Sequence, residues 1–284
     1  MSTDAFTLFT IEPVKITLVT FIIVAAISLL CEYMDASIGM GYGTTLTPVL
    51  LILGFSALAV VPTVLIGQLA GGFVGAFFHQ KFGNVKLDFR QDERVKKRLR
   101  GLGYLPRSFD SKVVAILVIS GVIGALVAVF FTINVPSLVL KTYIGVMVLL
   151  IGVIILIRRN RNINFSWKSL VSIGLISAFN KGATGGGYGP LVTGGQLISG
   201  REAKGTIGST TLAEAIVCIT PFVGYVIVGN IVWNLAAATS IGSILAAPFA
   251  AFTVKKITTN RLKLIIGLVT FLLGIYTLLD IYVF

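Results

Sequence analysis

Apolar residues run in long unbroken stretches, separated by short polar breaks. Seven of them approach or exceed the length needed to span about 30 Å of hydrocarbon: 16–30, 57–78, 113–132, 138–157, 203–228, 235–254 and 262–283. A soluble fold would have to bury every one. The pattern predicts an all-α integral membrane protein, because only helices satisfy their own backbone groups within each span. Two shorter apolar pieces, 44–53 and 190–199, each follow a glycine-rich break. Ten helical residues cover about 15 Å, half the hydrocarbon thickness. Each piece is therefore expected to start at mid-depth, as a half-helix leaving an unwound turn. Irregular backbone at that depth requires surrounding protein or a water-filled cavity.

Charge supplies the topology. The chain has 284 residues, 56% hydrophobic and 12% charged, with a net charge of +12. Twenty of its 23 Lys and Arg fall in four places: ten within 81–112, four within 158–168, Arg201 with Lys204, and four within 255–263. Such loops stay cytoplasmic. The connections 133–137 and 229–234 carry no Lys or Arg and are expected outside. The parity that follows is about ten membrane segments with both termini outside, in the cell (plasma or inner) membrane. The only sizeable soluble stretch is 84–111, read as a cytoplasmic basic anchor loop. Clustering in loops also explains the positive charge without nucleic acid. The first apolar run lacks the basic start of a signal peptide, and bulky Leu30 stands where a lipoprotein site before Cys31 needs a small residue.

Shifted by 146 residues, the chain matches itself. "DASIGMGYGTTLTPVLLILGFSA" at 35–57 lies over "KGATGGGYGPLVTGGQLISGREA" at 181–203, with nine of 23 positions identical. Gly41, Tyr42 and Gly43 face Gly187, Tyr188 and Gly189, and Gln68 faces Glu214. The chain is therefore read as two repeats, 1–157 and 158–284, of five passes each. An odd number of passes inverts the second repeat. The uncharged link 54–56 and its counterpart 200–202, which carries Arg201, agree with that inversion. Inverted repeats are the architecture of secondary transporters, with a site near the midplane.

Two helix N-termini are then expected to meet there. Each presents free N–H groups and about half a positive charge, a setting for an anion. Thr44 and Thr45 are expected to cap the first half-helix, and Pro190 to open the second. Glycine allows close approach of a ligand but also close helix packing, as in "GGFVG" at 71–75. The candidate substrate-binding residues are Gly41, Tyr42, Gly43, Thr44 and Thr45 in one half. In the other they are Lys181, Gly185, Gly186, Gly187, Tyr188 and Gly189. Ionisable and polar groups inside the spans, Glu214, Gln68, Thr210 and Asp35, are candidates for coupling or gating. Asp35 and Lys181 occupy equivalent positions, either pairing across the pseudo-twofold axis or leaving Lys181 to face the anion.

"GATGGGYGPL" at 182–191, "ASIGMGYGTTLTPVLL" at 36–51 and "REAKGTIGSTTLAEA" at 201–215 resemble the TauE/SafE (sulfite exporter, TSUP) family of permeases. The resemblance covers nearly the whole chain outside the basic loop. The first motif departs from the usual glycine triplet at Met40. The resemblance implies transport of sulfur-containing anions such as sulfite, sulfoacetate or thiosulfate.

The expected function is thus secondary active transport of a small anion by alternating access, with protons or a coupling cation as partner. A passive anion channel on the same fold, or a carrier of another small organic acid, remains the alternative. An enzyme is disfavoured by the lack of HExxH and GxSxG, and ATP-driven transport by the lack of GxxxxGK[ST]. One His and two Cys disfavour haem, iron–sulfur and zinc sites, so no cofactor or metal is expected.

Overall fold

The computed structural model describes residues 16–91, 104–131, 137–158, 165–184, 187–228 and 231–282. Within them the protein is helical apart from one small hairpin. The helices are α1 (Leu18–Ile38), α2 (Tyr42–Ile52), α3 (Ala57–Lys81), α4 (Phe109–Phe131), α5 (Ser137–Arg158), α6 (Trp167–Thr184), α7 (Tyr188–Ile198), α8 (Ala203–Val228), α9 (Trp233–Lys256) and α10 (Thr259–Tyr282). Among the described residues, six helices contain segments long and apolar enough to cross a membrane: α1, α3, α4, α8, α9 and α10. Large apolar side chains such as Ile22, Phe77, Ile119, Phe249 and Leu272 point outward and exposed. A soluble surface would not tolerate that belt, whereas hydrocarbon does.

Local structure repeats at the 146-residue offset. Helix α2 spans Tyr42–Ile52 and α7 spans Tyr188–Ile198, and α3 and α8 start at Ala57 and Ala203. The left-handed turns before and after each short helix repeat as well, at Gly41 with Gly187 and at Gly54 with Gly200. Both short helices start two residues earlier than the sequence reading placed them. Their N-caps are Gly41 and Gly187, so Thr44 sits one turn inside, where its hydroxyl donates to the Gly41 carbonyl at 3.2 Å. Pro190 lies at the third helical position. It costs nothing there, because the first four N–H groups of a helix have no internal partner.

The tightest helix pairs run crosswise along the chain. Helix α1 packs on α9, α3 on α9 and on α8, α4 on α6 and α5 on α10. Small residues bring backbones together, as expected where no hydrophobic effect drives association. A Cβ on Gly242 of α9 would fall 2.1 Å from the Ala25 carbonyl oxygen of α1, and one on Gly124 of α4 would fall 2.3 Å from that of Leu175 in α6. The "GGFVG" stretch does the same for α3. Gly72 lies against Ala215 and the Thr211 carbonyl, and Gly75 against the Thr211 methyl, both on α8.

Helix α7 is enclosed, with every residue from Tyr188 to Leu197 buried, because α5, α6, α8 and α10 surround it. Helix α2 packs on α1 and α3 and buries only Tyr42, Leu46 and Leu50. Within the basic stretch read as an anchor loop, β1 (Phe89–Gln91) pairs antiparallel with β2 (Tyr104–Pro106).

Candidate functional site

The two glycine turns meet directly. A Cβ on Gly189 would fall 2.8 Å from Met40 Cα, and one on Gly39 would fall 2.4 Å from Thr193 Oγ1. The Thr193 hydroxyl donates to the Gly39 carbonyl at 2.6 Å, tying α7 to the turn before α2. Gly189 therefore serves backbone approach to the first turn, and Gly39 makes room for the Thr193 side chain of α7. Beside this contact lies a small, partly enclosed cavity, with room on the scale of a single water. It is lined by Asp35, Gly41, Gly43, Thr44, Lys181, Gly187, Tyr188, Gly189, Pro190 and Glu214.

Lys181, buried near the end of α6, provides the cation. Its Nζ lies 2.7 Å from Glu214 Oε1 and 2.8 Å from Gln68 Oε1, and 5.4 Å from the centre of the Tyr188 ring. The equivalence of Gln68 and Glu214 in sequence becomes physical proximity here, since both accept from the one ammonium group. Asp35 does not take Lys181 as its hydrogen-bonded partner. Its Oδ1 accepts the Tyr42 N–H at 3.1 Å, so an internal carboxylate already occupies one donor of the α2 N-terminus. No acidic residue lies in the first turn of α7, and its N-cap Gly187 makes no side-chain hydrogen bond.

Of the residues singled out in sequence, Asp35, Gly41, Gly43, Thr44, Lys181, Gly187, Tyr188, Gly189 and Glu214 line the cavity. Tyr42 contributes its N–H from just behind, while its buried hydroxyl pairs with Ser28 at 2.9 Å. Gln68 holds Lys181 from outside the lining. Thr45 is half-buried on α2 and does not line the cavity. Thr210 belongs elsewhere, accepting from Gln196 Nε2 at 2.8 Å. Gly185 and Gly186 lie outside the described residues.

Two features were not found in sequence. Arg201, in the α7–α8 connection, is buried and donates to Gln196 Oε1 at 2.5 Å, Ser209 Oγ at 2.6 Å and the Asp110 carboxylate of α4. Burial lowers its pKa to about 10 against the opposing pull of Asp110. In sequence Arg201 reads only as a topology charge. The second feature is Glu32, buried on α1. Glu32 stands two residues past the apolar run at 16–30, where a charge reads as a boundary residue, and only its burial on α1 marks it out.

A family model described as "Sulfite exporter TauE/SafE" matches residues 100–277. The chain is similar to the "Probable membrane transporter protein YtnM" of Bacillus subtilis (strain 168). The two are 28% identical over 272 residues, which cover 91% of this chain and 83% of that protein. No solved structure matches.

Proposed function

Given that this chain belongs to the sulfite exporter TauE/SafE family of multi-pass membrane transporters, we propose that it is a secondary transporter of a small sulfur-containing anion. Sulfite, sulfoacetate and thiosulfate are the candidate substrates. The observation that carries this reading is the convergence of the α7 N-terminus, the α2 turn and Lys181 on one buried cavity.

The two ends are unequal, and the inequality suggests where the anion sits. At α2, Asp35 already takes the Tyr42 N–H. At α7, the equivalent position carries Lys181, a cation, and the first turn has no carboxylate. An anion therefore gains most at the Gly187–Pro190 end, where free N–H groups, the helix dipole and an ammonium add. Glu214 holds Lys181 when the site is empty and is displaced from it when an anion arrives. Such an exchange of counter-ions avoids leaving Lys181 unpaired in the membrane interior. The cavity is too small for a sulfur oxyanion as it stands, so this conformation is read as a closed, unloaded one.

Alternating access follows from an inverted repeat of two five-pass halves in about ten segments. The matched boundaries of α2 with α7 and α3 with α8, and the crosswise pairs α1–α9 and α4–α6, support it. In this reading α2 and α7 enter the midplane from opposite sides, both termini lie outside, and the protein resides in the cell membrane.

The test is accumulation of 35S-labelled sulfite in proteoliposomes under imposed pH, sodium or potential gradients. A secondary transporter concentrates the label above the bath, and Gly187→Val removes that activity. Labelled sulfite that only equilibrates, at any gradient, would make the protein a passive channel. Absence of both fluxes for sulfite, sulfoacetate and thiosulfate would refute the substrate class.

A further inference from the structure

Glu32 is buried to 1% exposure in α1, and neither carboxyl oxygen has a hydrogen-bond partner among the described residues. An ionised carboxylate left this way in the membrane interior is the costliest state the group has. Its neighbours cannot relieve it. The carboxyl carbon lies 2.8 Å from the point a Cβ on Gly71 would occupy, with Ser243 Oγ 2.9 Å from the same point, so the missing side chain of Gly71 makes the room. Ser243 donates its only proton to the Gly67 carbonyl at 2.7 Å. Thr239 donates to the Thr63 carbonyl at 3.1 Å, Ser28 to the Thr239 carbonyl at 2.7 Å, and the Tyr42 hydroxyl is left to donate to Ser28 at 2.9 Å. With these bonds made, the hydroxyls of Ser243, Thr239, Ser28 and Tyr42 have each given their proton elsewhere and keep only lone pairs. A carboxylate finds no donor here, and the uncharged acid is the form that burial penalises least.

The other ionisable groups around Glu32 are Cys31 and Asp35 of α1, Tyr42 of α2 and Glu214 of α8. On α3, His79 is turned to the Ala36 carbonyl, and α9 brings hydroxyls only. Asp35 has the Tyr42 N–H and Glu214 has Lys181. Glu32 is the carboxyl of the three left without a donor, next to two others of its own sign. The offset of 146 residues adds an independent point. It sets Gly174, Ala178 and Val217 opposite Ser28, Glu32 and Gly71. There the space is closed by apolar packing, with Ala178 and Val217 buried and facing Gly121. The fold fills the equivalent position with methyl groups, so stability alone does not call for an acid.

We propose that Glu32 is the proton carrier of the transport cycle. It holds a proton in this closed state and releases it when the chamber between α1, α3 and α9 opens to water. One proton thereby binds and leaves with each turn of the cycle. This rests on the transport reading above, but its first test does not need a substrate. Infrared spectra of the purified protein in lipid at pH 7 should show the carbonyl stretch of a protonated carboxyl. That component should vanish in Glu32→Gln, which mimics the neutral acid, persist in Glu214→Gln, and return at a shifted position in Glu32→Asp. A band unchanged by Glu32→Gln overturns the proposal, whatever the protein transports. In proteoliposomes, a pH gradient should drive accumulation of labelled sulfite by the parent. Glu32→Gln should bring accumulation down to the equilibrium level while leaving sulfite–sulfite exchange. Accumulation driven by sodium and lost in Glu32→Gln would also overturn it, since the carboxyl would then hold a metal cation. If the parent moves no sulfite in either mode, the substrate assignment fails and the infrared band alone decides the role of Glu32.

Discussion

Removing one member of the Lys181–Glu214 pair should cost far more than removing both. Both side chains are about 5% exposed, with Nζ 2.7 Å from Oε1. Lys181→Met strands the Glu214 carboxylate in a low-dielectric interior, and Gln68 loses its bond from Nζ. Breaking a buried pair on one side typically costs about 3–5 kcal/mol, while replacing both charges by apolar groups is often neutral or stabilising. For a chain of this size, a loss of a few kcal/mol corresponds to a fall in Tm on the order of 10 °C. The assay is a cycle of four proteins in one detergent: parent, Lys181→Met, Glu214→Met and the double variant, each followed by thermal unfolding. The lost Gln68 bond is common to Lys181→Met and the double variant, so it cancels from the interaction energy. The double variant is expected to unfold above Lys181→Met by several degrees, and still to bind no sulfite. If the single losses simply add, or Lys181→Met lies within about 0.5 kcal/mol of the parent, the two groups are not a buried, mutually dependent pair. The counter-ion exchange drawn from them then fails as well.

Glu214→Gln should free Lys181 for the anion, so sulfite binding measured by calorimetry tightens, about tenfold for each 1.4 kcal/mol of lost competition; weaker binding would contradict the exchange. Gly187→Val introduces a β-branched residue at φ 77°. It should cost roughly 1–3 kcal/mol of backbone strain and abolish sulfite binding in protein that still inserts, whereas Gly75→Ala, against the Thr211 methyl, should lower Tm with affinity kept. Arg201→Gln removes the link between the α7–α8 connection and Asp110 of α4. A Thr44→Cys reporter in a background without Cys31 and Cys218 should then react at least several-fold faster with a thiol reagent applied from the cytoplasmic face, and an unchanged rate would show that this link does not hold the closed state. For topology, Asn134→Cys and Asn230→Cys should label from outside intact cells and Arg94→Cys should not; the reverse pattern would invert the orientation.

The membrane class, the 146-residue recurrence and the two short helices after the glycine turns are legible from local information. Apolar run length reports the solvent of a helix, and Lys/Arg placement reports its loops. A glycine turn repeated 146 residues later announces the same backbone twice. That is why the sequence alone singles out Gly41, Gly187 and Lys181, which line the cavity. What lay beyond reach depends on contacts between distant segments. Lys181 is 33 residues from Glu214 and 113 from Gln68, and nothing along the chain says that one ammonium serves both. Thr44 reads as a cap by residue type, but the left-handed turn at Gly41 advances the helix start and places it one turn inside. Thr210 shares a helix with Glu214, yet Gln196 of α7 claims its hydroxyl. Glu32 looks like a boundary residue because it stands just past the run at 16–30. Only the packing of α3 and α9 around α1 shows a carboxyl enclosed by hydroxyls that have no proton to give it. Solvation of a single helix is written in its own residues, whereas the partner of a buried charge is decided by which helices cross beside it.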